Sequence, residues 1–286
     1  MATIIDGKQI STKLLIELKN KVAKLDRKPS IAVILANDDS ASRVYVNAKE
    51  KQAMALGFKT HSFNFDKSVT QGDLIKLIHE LNANQEINAI LVQLPLYNHL
   101  NEQEILELIN PKKDVDGFHP INVGRLVCGI EPHAICCTPK GIIKLLKEYS
   151  IQIEGKNAIV IGRSNIVGKP CATLLTRENA TVTIAHSKTK DLKKLTKKMD
   201  IVVSATGKPN FITADMIKKG AVVIDVGISR QNNSAFCKLM GDVDFNKVKN
   251  VASYITPVPG GVGPMTIACL MENTYELFLQ QNNIKD

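Results

Sequence analysis

The chain has 286 residues, 44% of them apolar and 23% charged, proportions that exclude a disordered, collagen-like or low-complexity protein. That length suits two globular domains better than one. The formal charge of +9 leaves a nucleic-acid partner open, but the lysines are scattered and only KDLKKLTKK (190–198) is dense, so small anionic ligands account for the excess equally well.

The opening segment MATIIDGKQISTKLLIELKNKV carries lysines at 8, 13, 19 and 21, where a secretory signal needs an unbroken apolar stretch. No apolar run approaches the roughly 20 residues that span a bilayer, so a cytoplasmic protein without a membrane partner is expected. IAVILA (31–36) and INAILVQL (87–94) predict strands, and residues 40–56 predict a helix closed by Gly57. Thr70 with Asp73 has the spacing of a capping box. On the 40–56 helix Tyr45 and Lys49 stand four apart and share a face. Most such pairs are structural, although a lysine in semi-apolar surroundings can exchange protons near neutral pH.

VQLPLY (92–97) then puts Gln93 at the carboxyl end of a strand, where α/β proteins place ligand groups, with Pro95 stiffening the loop. DVDGFHPINVGRL (114–126) crowds Asp114, Asp116, Gly117 and His119 into a loop that either turns the chain or binds something. TPKG (138–141) marks the domain boundary, with Thr138 as a cap and Pro139 in the first turn of a helix.

In the second half NAIVIG (157–162), ATVTIA (180–185), DIVVSA (200–205) and AVVIDVG (221–227) predict four strands at Rossmann-like spacing. IGRSNIVGKP (161–170) is not G-x-G-x-x-G, and its glycines either let amides approach a pyrophosphate or simply make a tight βα turn. The second strand ends in AHSKT (185–189), lacking the acid that holds a ribose 2′-hydroxyl. With Ser187, Lys188 and Arg163 at hand, that end suits a 2′-phosphate, though Lys188 also reads as a solvated surface lysine. ITPVPGGVGPMT (255–266) holds Pro259, Gly260 and Gly261 either against a ligand or in a rigid crossover. A final helix is predicted from Pro264, packing back onto the first domain. Cysteines at 128, 136, 137, 171, 237 and 269 form neither a C-x-x-C pair nor a zinc spacing, so reduced structural thiols and no metal are expected.

These phrases together resemble the bifunctional methylenetetrahydrofolate dehydrogenase and methenyltetrahydrofolate cyclohydrolase family nearly from end to end. The Y-x-x-x-K helix, QLPL, DVDGFHPINVGRL, CTPKG, GRSNIVGKP, TVTIAHSKT, DIVVSATGKP, VVIDVGI, GDVD and PVPGGVGPMT occur in the family's order. The resemblance implies an α/β fold of two domains with an active-site cleft between them. Residues 1–138 with 265–286 would form the folate-binding catalytic domain and 139–264 a Rossmann-type NADP-binding domain. It makes Lys49 the reactive lysine, Tyr45 its neighbour against the folate ring, Gln93 the group that positions the lysine and Asp116 the holder of the pterin edge. Asp114 stays structural. NADP contacts fall on Gly162, Arg163, Ser164, Ser187 and Ile228, and further folate contacts on Pro259, Gly260 and Gly261. The implied activity is NADP-dependent oxidation of 5,10-methylenetetrahydrofolate and hydrolysis of the methenyl product to 10-formyltetrahydrofolate, by a cytoplasmic homodimer without metal or nucleic acid. Two residues depart from the pattern: Tyr97 replaces a second proline in QLPLP, and Cys136 replaces a proline before Cys-Thr-Pro. A dehydrogenase without the second activity, or a basic nucleotide binder, remains the alternative.

Overall fold

The computed structural model describes residues 1–231 and 238–284; Cys237 lies outside them, and the five cysteines within form no disulfide. Strand β1 (Thr3–Ile4) and helix α1 (Gly7–Ala23) open the chain. Then come β2 (Ser30–Leu35), α2 (Ser40–Ala55), β3 (Lys59–Asn64), α3 (Gln71–Ala83) and β4 (Ala89–Gln93), followed by α4 (Glu102–Leu108), α5 (Pro120–Val127) and α6 (Cys137–Glu148). Alternation resumes with β5 (Asn157–Ile161), α7 (Gly168–Arg177), β6 (Thr181–Ala185), α8 (Leu192–Thr196), β7 (Ile201–Ser204) and β8 (Val222–Asp225). The antiparallel pair β9 (Ser229–Gln231) and β10 (Lys238–Met240), then α9 (Phe245–Val248), β11 (Tyr254–Ile255) and α10 (Val262–Gln281), complete the order. Contacts divide the chain into two compact units, residues 1–12 with 138–266, and residues 13–137 with 267 onward.

The unit built on residues 13–137 contains a three-stranded parallel sheet in the order β3-β2-β4. β2 and β4 are the two expected strands, and Ile34, Leu74, Ile78, Ile90 and Ile105 bury completely where α3 and α4 cover the sheet. Helix α2 starts where Asp39 accepts the N–H groups of Ala41 and Ser42, and it stops where Gly57 turns to a φ of +84°, as the sequence predicts. Thr70 and Asp73 form the expected capping box on α3. At the other end of α3 the buried Lys113 Nζ donates to the carbonyls of Leu81, Asn82 and Asn84 at 2.8–2.9 Å, and burial pulls its pKa down. Strand β3, KTHSFN, has no apolar run and escapes sequence reading; its six-residue pairing with β2 makes it a strand. The end of α10 is tied to this unit by Gln281, whose Nε2 donates to Asn88 O at 2.8 Å while its Oε1 accepts from Asn88 Nδ2 at 3.0 Å.

The other unit holds a six-stranded sheet, β1-β11-β8-β7-β5-β6, in which every pairing is parallel. The four predicted strands are β5, β6, β7 and β8; burial on both faces explains the Val/Ile runs of β5, β7 and β8, while the edge strand β6, TVTIA, is largely exposed. The sequence reading groups residues 1–12 with the first half of the chain, whereas here Thr3 and Ile4 pair with Tyr254 and Ile255. Tyr149 reinforces the join: its hydroxyl accepts from Asp6 N at 2.8 Å and donates to Ile4 O at 3.0 Å. Strands two residues long leave no period to read. Helix α6 begins at Cys137, one residue ahead of the expected cap Thr138, whose hydroxyl instead lies 3.0 Å from that of Thr266. Likewise α10 begins at Val262 rather than Pro264, which its first turn tolerates because those N–H groups have no intrahelical acceptor. Among the described residues no helix is long and apolar enough to cross a membrane.

Gly7 shows how tightly the N-terminal segment is seated, since a Cβ there would lie 1.9 Å from Gly261 O. Gly7→Ala is expected to destabilise by about 1–3 kcal/mol, the usual range for overpacking. Gly124→Ala, on α5 with nothing within 4 Å, is expected to be neutral or to raise the melting temperature. Calorimetry of both variants checks the contrast.

Candidate active site

In the first unit, helix α2 and strand β4 deliver the polar cluster. Lys49 lies one turn beyond Tyr45 on α2, and both are partly buried. Gln93, the last residue of β4, is in register with Leu35 of β2. Lys49 Nζ donates to Gln93 Oε1 at 2.9 Å, while Gln93 Nε2 donates to Leu94 O at 2.7 Å. That second bond fixes the amide, so its oxygen faces the ammonium. The peptide after Gln93, Leu94–Pro95, is cis, and Asn37 Nδ2 holds the Pro95 carbonyl at 2.6 Å.

The two aspartates of DVDG have different surroundings. Asp114 is buried and accepts from Phe118 N at 3.2 Å, His119 N at 2.8 Å and Asn122 Nδ2 at 2.9 Å. Three donors make it a folding device, as expected; burial nevertheless pushes its pKa up. Among the described residues Asp116, two residues on, has one donor, the Cys137 thiol, Sγ at 3.9 Å. Burial pushes its carboxyl up to about 6 and Asp114 adds to the push, while the Lys49 ammonium pulls it down. Lys49, Gln93 and Asp116 thus share one electrostatic neighbourhood. His119 lies outside it, capping α5: its Nδ1 accepts from Ile121 N at 3.1 Å, leaving Nε2–H to donate to Glu107 O at 3.1 Å.

In the second unit the carboxyl ends of β5, β6 and β7 surround a cavity of about 200 Å3. Gly162, Arg163, His186, Ser187, Thr206 and Lys208 supply its polar lining, and Ile161, Leu192, Ala205 and Phe211 its apolar surface. Lys208 Nζ rides 5.7 Å from the centre of the Phe211 ring. No carboxylate is among the lining residues, so the cavity is basic with an apolar slot. Gly162 has a φ of +144°, and a Cβ there would meet Ala205 O at 2.5 Å; one on Gly168 would meet Gly162 O at 2.3 Å. These glycines therefore serve the close packing of α7 on the β5–β7 edge as well as any ligand. Ser164 Oγ accepts from Val167 N and Gly168 N, both at 3.2 Å, and so caps the start of α7.

Of the residues singled out from sequence, Gly162, Arg163 and Ser187 line this cavity; Ser164 and Ile228 do not. Ile228 is exposed beside Gly263. His186, of the AHSKT phrase, lines it too; Leu192, Thr206, Lys208 and Phe211 are not singled out by the sequence, although a loop following the third strand of such a sheet opens on the same edge as the first. Pro259, Gly260 and Gly261 lie in this second unit, after a cis Val258–Pro259 peptide. The space a Cβ would take on Gly261 is filled by Pro257 O at 2.5 Å and Thr256 Cβ at 2.8 Å. The chain itself, with no ligand needed, demands glycine there.

Sequence comparison matches this arrangement to one family in both halves. A family model described as the tetrahydrofolate dehydrogenase/cyclohydrolase catalytic domain matches residues 5–116, and its NAD(P)-binding counterpart matches residues 136–282. A Campylobacter hominis protein called bifunctional protein FolD is 57% identical over 274 residues, covering 95% of either chain. The crystal structure of the Campylobacter jejuni bifunctional enzyme FolD, a methylenetetrahydrofolate dehydrogenase/cyclohydrolase, superposes with a TM-score of 0.94 at 47% identity, covering 98% of this chain and 100% of that one. The Trypanosoma brucei N5,N10-methylenetetrahydrofolate dehydrogenase-cyclohydrolase, solved with NADP cofactor and inhibitor, also gives 0.94, at 39% identity and 98% coverage of both.

The Asp116 carboxyl is expected to titrate near pH 6 in the free protein. Lys49→Met removes a cation that favours the carboxylate, so the midpoint is expected to move upward. Carbon-13 NMR of labelled aspartate, with Asp116→Asn for assignment, measures both.

Proposed function

We infer the activity from a fixed premise: this chain belongs to the tetrahydrofolate dehydrogenase/cyclohydrolase family. It oxidises 5,10-methylenetetrahydrofolate to 5,10-methenyltetrahydrofolate with NADP, then hydrolyses that cation to 10-formyltetrahydrofolate. The observation that carries the hydrolytic half is the Lys49–Gln93 bond at 2.9 Å beside the Asp116 carboxyl. Water adds to the methenyl carbon and releases a proton as the ring opens. Lys49 is the group that takes and returns a proton in that step, and Gln93 fixes where its amine points. Asp116 accepts from the donor-rich edge of the pterin, where a charged acceptor makes the stronger bonds, and Tyr45 lies against the folate ring. Neither task needs a metal.

The residues of the second cavity fit NADP. Arg163, Lys208 and Ser187 provide two cations and a hydroxyl for a phosphate-bearing ribose, and Leu192 and Phe211 provide apolar surface for a base. When bound, NADP supplies the hydride acceptor. The protein's task in that step is positioning, since the folate nitrogen itself drives hydride departure from the methylene bridge. Ser164 acts by shaping the GRS turn and Ile228 by exposed apolar surface, while Pro259, Gly260 and Gly261 complete the folate contacts. We place the protein in the cytoplasm as a homodimer on the strength of the family; light scattering tests the dimer.

Incubation with methylenetetrahydrofolate and NADP, following NADPH, methenyl and formyl products together, tests the whole reading. All three are expected in sequence, and NADPH without formyl product would refute the second activity. Lys49→Ala is expected to slow methenyl hydrolysis about 100-fold or more, the scale of lost proton transfer, with NADP binding retained. Unchanged hydrolysis in that variant would remove Lys49 from the mechanism. A kcat/KM for NADP well above that for NAD is expected from a basic lining without an acid, and equal values would contradict it.

A further inference from the structure

Behind the basic cavity lie two buried carboxylates that the reaction does not use. Asp225, at the end of β8, accepts from Gly227 N at 3.0 Å, Asp242 N at 2.9 Å and Val243 N at 2.9 Å. It thereby fixes the 241–243 segment, and no side chain fits on Gly241, where a Cβ would come within 2.0 Å of Asp225 Oδ2. Asp242 passes that constraint outward. Its Oδ2 accepts from Ser204 Oγ at 3.0 Å and Thr206 N at 2.6 Å. Backbone bonds continue the contact, from Asn210 N to Gly241 O at 3.1 Å and from Ile212 N to Asp242 O at 2.9 Å. Asp242 Oδ1 is buried, has no hydrogen-bond partner among the described residues, and rests against Gly227, the neighbour of Ile228.

A buried carboxyl with one oxygen unsatisfied is an expensive way to brace a loop. What Asp242 holds is the Ala205–Phe211 stretch that lines the cavity, and Thr206 N is its shortest partner. We propose that Asp242 is a positioning residue for the dinucleotide, its carboxylate fixing the Thr206–Phe211 wall of the cavity so that Lys208 and Phe211 meet the nucleotide preformed. This deepens the NADP reading above and rests on it. Burial, with the like charge of Asp242 adding to it, pushes the Asp225 carboxyl up to about 6.

The test measures NADP affinity by fluorescence titration and methenyl hydrolysis in parallel, because hydrolysis needs no dinucleotide. Asp242→Ala is expected to weaken NADP binding about tenfold, as for the loss of a charged hydrogen-bond acceptor, while hydrolysis holds. Asp242→Asn keeps an acceptor oxygen for Thr206 N and is expected to stay within about threefold of the wild type. Failure of the wild-type chain to bind NADP would overturn the cofactor reading and this proposal with it. If the wild type binds and Asp242→Ala binds equally well, or if binding and hydrolysis fall together, or if the Asn variant is no better than Ala, only the positioning role is overturned. Should Asp242→Ala not fold, amide exchange in the wild type decides: Thr206 N is expected to be strongly protected without NADP, and exchange at the rate of an open loop would overturn the proposal.

Discussion

Parallel pairing is the constraint on which everything else in this chain depends. Apart from β9–β10, every named strand pair is parallel, so within each sheet the carboxyl ends share one edge. A parallel strand buried on both faces has no room for polar side chains along its length, and the first polar positions come where it ends. Gln93 and Ser204 end β4 and β7, Gly162 and His186 come directly after β5 and β6, and Thr206 comes two residues beyond β7. The chemistry therefore collects at strand ends because burial excludes it elsewhere.

Four aspartates show how the surroundings divide one side chain among different tasks. Asp114 takes three donors and becomes the hub of its own loop, and Asp225 takes three and fixes a distant one. Asp242 is half-satisfied and faces the wall of a cavity. Among the described residues Asp116 has only a weak thiol donor, so its remaining capacity is available to a ligand. Burial raises the pKa of Asp114, Asp116 and Asp225, which by itself separates none of them by role. The hydrogen-bond count does.

The same distinction explains what sequence could and could not supply. Strands β2 and β4 to β8 are legible from their apolar and β-branched runs, and α2 and α3 from Gly57, Thr70 and Asp73, because each signal is local. Lys49, Gln93 and Asp116 are legible only as members of familiar phrases; nothing in their spacing says that an amine and an amide 44 positions apart bond to one another. Strand β1 leaves no mark, since its pairing with β11 is settled some 250 residues away. Lys208 and Phe211 follow the third predicted strand of the second half, and only the sheet order puts them beside Arg163. The need for glycine at 261 is equally hidden, since it comes from the backbone of Pro257, whose oxygen would lie 2.5 Å from a Cβ there.

The two departures from the family pattern show how rigidity is recovered by other means. A second proline at position 97 would restrict φ but offer no donor. Tyr97 instead buries its ring, stacks on His99 with centroids 5.7 Å apart, and donates its hydroxyl to Asp38 Oδ1 at 2.8 Å, while its N–H reaches Ala36 O at 2.9 Å. The last two contacts tie the loop after β4 to the loop that launches α2, which carries Lys49. Cys136 acts similarly on the DVDG loop. Burial, with Asp114 and Asp116 nearby, pushes its thiol well above the usual range, so it stays neutral and donates to Gly117 O at 3.1 Å. Gly117, at a φ of +69°, presses so closely on this segment that a Cβ would lie 2.7 Å from Cys136 N. In both places a tertiary contact replaces a local backbone restriction, and it reaches directly to the loop or helix that presents Asp116 or Lys49.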